Sequence, residues 1–100
     1  MSDAPAAEAT LPDAARPRLL RGVRVKHDAV RGMDVLLAPE RALKLDPIGA
    51  AILAEVDGTR SFAEIVARLA ARYNAPAEQI SGDARTFLVS LIERRMAEAA

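Results

Sequence analysis

The sequence predicts an α+β domain in which three short antiparallel strands precede three helices. Three observations carry this expectation. Apolar and polar residues alternate, with turn residues between them, from Arg21 to Leu45. Strong helix-start signals follow at Asp46-Pro47 and at Ser61 with Glu64. Beyond Ile48 the apolar period lengthens from two residues toward 3.6.

Strand one is marked by Val23 and Val25 on one side with Arg24 and Lys26 on the other, the pattern of a half-buried strand. Asp28-Ala29-Val30-Arg31-Gly32 has hairpin chemistry, with Gly32 free to take a positive φ. Strand two, Asp34 to Ala38, pairs back through Val35, Leu36 and Leu37. Pro39 interrupts, and Ala42-Leu43-Lys44-Leu45 alternates again as a third strand. Asp46 can accept orphan amide bonds while Pro47 occupies the first turn, so a helix runs from there to Val56, closed by Asp57-Gly58. Ser61 and Glu64 form a capping box for a second helix with a stripe of Phe62, Ile65, Val66, Leu69 and Tyr73, ending near Asn74. Pro76 opens a third helix that reaches roughly Met96.

The third helix has an unusually wide apolar arc. Ile80, Ala84, Phe87, Leu88 and Leu91 fall within about 100° of the helix circumference, enough to pack on a core. Val89, Ile92 and Met96 extend the arc beside Arg85. The surplus is expected to meet the first helix, a dimer mate or a bound peptide.

The domain is expected to span residues 18–96. Residues 1–17 mix alanine, proline and acids around one large apolar residue, Leu11, and read as a disordered tail or linker suited to tethering another domain, as in a piece of a longer protein. Residues 97–100 read as a frayed end. With 100 residues, 22 of them alanine, one modest core is expected.

Composition narrows the function. Lys+Arg and Asp+Glu both number 14, so net charge favours neither nucleic acid nor an anionic membrane. A mildly basic stretch over residues 16–31 follows an acidic one over 1–15. No cysteine is present, which removes disulfides, thiolate metal sites and thiol nucleophiles. No apolar run of membrane-spanning length and no secretory signal is seen, and the protein is read as cytoplasmic.

No catalytic constellation emerges. His27, the single histidine, sits by a turn and reads as solvated, and Ser61, Ser81 and Ser90 have no histidine near them in sequence. The glycines form no phosphate cradle, and the acids no metal cluster. No cofactor is called for. Three helices with a small sheet also make a winged helix-turn-helix, but the third helix would present Glu78, Gln79, Ser81 and Asp83 with Arg85 alone basic, a poor match to a DNA groove. An acyl-carrier reading fails on the hairpin.

The sequence resembles the PqqD family of pyrroloquinoline quinone (PQQ) biosynthesis over Arg18 to Met96. The resemblance rests on Arg21-Gly22-Val23-Arg24, Leu36-Leu37-Ala38-Pro39-Glu40-Arg41, Leu43-Lys44-Leu45-Asp46, Asp57-Gly58 ahead of Ile65-Val66-Ala67-Arg68-Leu69, and Tyr73-Asn74-Ala75-Pro76. It departs where relatives often carry glycine after the last helix and this chain has Arg95-Met96-Ala97. The resemblance implies a truncated winged-helix fold that recognises leaders of ribosomally made peptides. It implies capture of the precursor peptide PqqA as an added strand, and its presentation to the radical SAM enzyme PqqE, which joins a glutamate to a tyrosine in it. It also implies fusion in some members behind the PqqC oxidase.

A short edge strand offers unpaired backbone groups, and neighbouring pockets add selectivity. The expected site is therefore Arg41, Ala42, Leu43, Lys44 and Leu45 as the receiving strand, with Arg85, Leu88, Val89 and Ile92 as the facing wall. For Leu43 and Leu45, core packing of the side chain competes with contact to the peptide. A winged-helix DNA-binding module and a homo-oligomeric structural module are the alternative readings.

Overall fold

The computed structural model describes residues 9–100. Its elements are β1 (Pro17–Leu19), β2 (Arg24–Asp28), β3 (Met33–Ala38), β4 (Arg41–Leu45), α1 (Pro47–Ala54), α2 (Phe62–Tyr73), α3 (Ala77–Glu93) and β5 (Ala97–Ala99). The three expected strands are β2, β3 and β4, an antiparallel sheet in that order, and the three expected helices follow.

Local chemistry shapes each junction. Asp28 Oδ1 accepts the amides of Val30 and Arg31, and Gly32 turns at φ 65° to start β3. Pro39 and Glu40 connect β3 to β4, with Glu40 at φ 61°. Asp46 caps α1 by accepting the Gly49 amide at 2.6 Å, and Pro47 stands in the first turn. The helix closes earlier than expected, with Glu55 as its C-cap, and the largely buried Glu55 carboxylate pairs with Arg60 and Arg68. The capping box of α2 forms in both directions between Ser61 and Glu64, and Asn74 ends that helix in the left-handed conformation.

Both expected chain ends differ from the structure. Residues 1–8 of the expected linker lie outside the described residues. Leu11 is fully buried in the core, and Ala15 and Pro17 are buried too. The backbone explains this anchoring. The carbonyls of Ala15 and Asp13 accept the amides of Phe62 and Ala63, two of the orphan donors at the start of α2. Residues 97–99 are a strand rather than a frayed end, since β5 pairs antiparallel with β1 and Arg18 forms an ion pair with Glu98. Arg95 supplies the reversal into β5 at φ 59°, a left-handed position that glycine would adopt with less strain.

The core joins Leu36 and Leu45 of the sheet to Ile52 and Leu53 of α1, Phe62, Ile65, Val66 and Leu69 of α2, and Ala84, Leu88 and Leu91 of α3. Leu11, Met96 and Ala97 complete it from the two chain ends. Among the described residues no helix is long and apolar enough to cross a membrane.

Candidate functional site

Strand β4 lies at the margin of its sheet and, among the described residues, pairs with β3 alone. Its alternation divides the side chains: Leu45 is buried and Leu43 half-buried toward the core, while Arg41, Ala42 and Lys44 are exposed. Core packing therefore claims Leu43 and Leu45, and what β4 offers outward is backbone. Its C-terminal end runs directly into Asp46 and α1.

From Asp46 a depression of about 430 Å3 extends between α1 and α3, lined among others by Ile48, Asp83, Phe87 and Ser90. It adjoins a more apolar cavity of about 270 Å3 that shares Ile48, Ile52 and Asp83 and reaches Tyr73 and Ile80. Ile48 at 62% exposure and Tyr73 at 52% are large apolar side chains left open to solvent along this groove. Phe87 packs so closely over α1 that a Cβ on Gly49 would stand 3.3 Å from its ring.

The expected α3 wall is corrected by the structure. Arg85 is not free for a ligand: its Nε donates to the Leu11 carbonyl at 3.0 Å, its terminal nitrogens reach Asp13 Oδ1 at 2.5 Å and Ser81 Oγ at 3.3 Å, and its guanidinium lies 4.5 Å from the Phe62 ring centroid. Leu88 is fully buried. Val89 and Ile92 are half-buried against the core cluster, so much of the surplus arc is already used within the fold. The flank of α3 facing α1 instead presents Asp83, Phe87 and Ser90. The periodicity contained Phe87, but nothing in it told which flank the N-terminal arm would cover.

His27 is exposed and holds Asp34 across the hairpin, with Nδ1 2.7 Å from Oδ1. The carboxyls of Asp57 and Glu64 both lie below their ordinary range. For Asp57 the amides of Arg60 and Thr59 are the main cause, and for Glu64 the Ser61 amide and then its hydroxyl. Asp57 thus holds the turn between α1 and α2, and Glu64 completes the capping box of α2. Among the described residues no group of three or more His, Asp or Glu is placed to hold a metal ion.

Residues 35–97 match the family model described as coenzyme PQQ synthesis protein D. A Rhizobium meliloti protein named PqqA binding protein is 49% identical over 81 residues, covering 81% of this chain and 83% of its own length. The chain belongs to the PqqD family. Among solved structures, the PqqD truncation of Methylobacterium extorquens PqqCD superposes with a TM-score of 0.77 at 39% identity, covering 91% of this chain and 98% of that one. That protein is described as a functional, stand-alone recognition element for ribosomally synthesised and post-translationally modified peptides. PqqD of Xanthomonas campestris aligns at 42% identity with a TM-score of 0.54, over 77% of this chain and 86% of its own. The PqqD match spans the sheet margin, the groove and all three helices.

Proposed function

We propose that this PqqD-family chain is a peptide chaperone of PQQ biosynthesis that takes up the precursor peptide PqqA as an added strand on β4. It then presents the peptide to the radical SAM enzyme PqqE for glutamate–tyrosine cross-linking, with no chemical step of its own. The observation that carries this reading is the open margin of β4 leading into the α1–α3 groove. The names of the relatives as PqqA binding proteins support the choice of ligand.

Antiparallel geometry makes the reading specific. Across the two-residue Pro39-Glu40 connection, Ala38 and Arg41 face each other as the closing pair of the hairpin. A hydrogen-bonded closing pair leaves the amides and carbonyls of Ala42 and Lys44 turned away from β3, toward an incoming strand. The peptide backbone is held there, and its side chains that pass Asp46 reach Ile48, Phe87 and Ser90. Main-chain bonds supply affinity and the groove supplies selectivity.

An amide-resolved NMR titration with PqqA tests the site. Ala42 and Lys44 are expected to gain hydrogen-exchange protection, and residues around Ile48 and Phe87 to shift. Ala42→Pro removes one outward donor while sparing the β3 ladder and is expected to weaken the peptide at least tenfold. Shifts confined to β2, at the other sheet margin, would reject the reading.

A further inference from the structure

The face of the sheet turned away from the helices carries a second surface. Register and alternation define it. Val25, Leu36 and Leu43 form one cross-strand row with Leu36 fully buried, so the rows Lys26–Val35–Lys44 and Arg24–Leu37–Ala42 point the opposite way. Arg24, Lys26 and Lys44 are exposed, and Val35 and Leu37 at the centre are half-buried. Val35 and Leu37 line an open depression of about 590 Å3 with Lys26 and Arg31.

Among the described residues none of Arg24, Lys26 and Lys44 enters a salt bridge. The carboxylate that shares this face, Asp28, is engaged by the amides of Val30 and Arg31 and lies beside the Arg31 side chain. The face is thus an apolar centre rimmed by uncompensated cations.

We propose that this outer face docks an acidic surface of a second protein, the enzyme to which the bound peptide is handed. This rests on the presentation role proposed above but uses a different face of the sheet, which meets the β4 margin at Ala42 and Lys44 and has its β2 cations, Arg24 and Lys26, at the opposite margin. An apolar centre with a polar rim is the anatomy of a protein interface, and the cations set orientation and encounter rate with an acidic partner. A second copy of the chain is disfavoured, since the two faces would bring like charges together. A chain of zero net charge has no general attraction for a polyanion.

The test is calorimetric titration of the full chain with the purified radical SAM enzyme of the pathway. It compares wild type, the double variant R24E/K26E, and R72E/R94E, which changes net charge equally at exposed positions away from this face. The R24E/K26E chain is expected to lose at least tenfold in affinity for the enzyme, and Lys26→Ser about threefold. The R72E/R94E chain stays within twofold, and wild-type affinity falls with added salt. Peptide affinity stays within twofold for all, which also reports that each variant is folded. Equal enzyme binding by the two double variants overturns the outer face alone. Absence of wild-type binding to the enzyme overturns both this surface and the presentation role. Tight binding of a mixed-sequence DNA duplex that R24E/K26E abolishes would reassign the face to nucleic acid and overturn the proposal.

Discussion

Helix α3 has two apolar flanks, and the chain treats them oppositely. On one, Arg85 is clasped by Leu11, Asp13 and Ser81 and stacked on Phe62, so a segment more than 70 residues away in sequence seals that side. On the other, Asp83, Phe87 and Ser90 border a groove in which Ile48 stays largely exposed. One helix thus serves as core wall on one flank and as groove wall on the other. The apolar width of a helix measures how much it can bury, and the topology decides how much is already buried by the chain itself.

The largest effect expected from this contrast is on the sealed flank. Leu11→Ala should destabilise the fold by about 2–5 kcal/mol, as for a leucine removed from a packed core, and lower the urea midpoint accordingly. An unchanged midpoint would show that the arm is no part of the core. Arg85→Ala should cost about 1–3 kcal/mol, chiefly because the Leu11 carbonyl loses its donor. Asp13→Ala should cost less than about 1 kcal/mol, since that carboxylate is mostly exposed. A double-mutant cycle on Arg85 and Asp13 separates the two contributions.

The open flank should respond in reverse. Ile48→Ala should leave stability within about 0.5 kcal/mol, because the side chain is exposed. It should weaken the peptide by about 1 kcal/mol, roughly fivefold, from apolar area no longer covered on binding. Lost stability with unchanged peptide affinity would erase the distinction between the flanks.

The smallest effect is on acid stability. Glu64, at the start of α2 beside the arm, has its carboxyl held below the ordinary value of 4.5 by the Ser61 amide and hydroxyl, with Arg16 of the arm adding to it. A depressed folded-state value means that the contribution is fully present above the ordinary range and is lost as pH falls through the folded value. Denaturant midpoints from pH 7 down to 3 should therefore fall less steeply for Glu64→Gln than for the wild type, and a parallel decline would remove Glu64 from the account.

Most of the fold was legible locally. The β2–β3 hairpin, the Asp46-Pro47 start and the Ser61–Glu64 box are chemistry between residues a few positions apart, and each lies where the sequence places it. The strand Arg41 to Leu45 was legible for the same reason, since period-two alternation names both its core side and its solvent side. The strands β1 and β5 were not. Pro17-Arg18-Leu19 and Ala97-Glu98-Ala99 have no strand signal of their own and are extended because each pairs with the other across the whole domain.

The sequence by itself therefore determined the order of three strands and three helices, the turns between them and the family to which the chain is similar, because these depend on neighbours in the chain. Only the tertiary structure decided that Leu11 is core, that Arg85 is a structural clasp and that the groove opens toward α1. Those facts depend on which distant segment reaches a given flank of α3 first, and an amphipathic pattern specifies that a surface will be covered without naming what covers it.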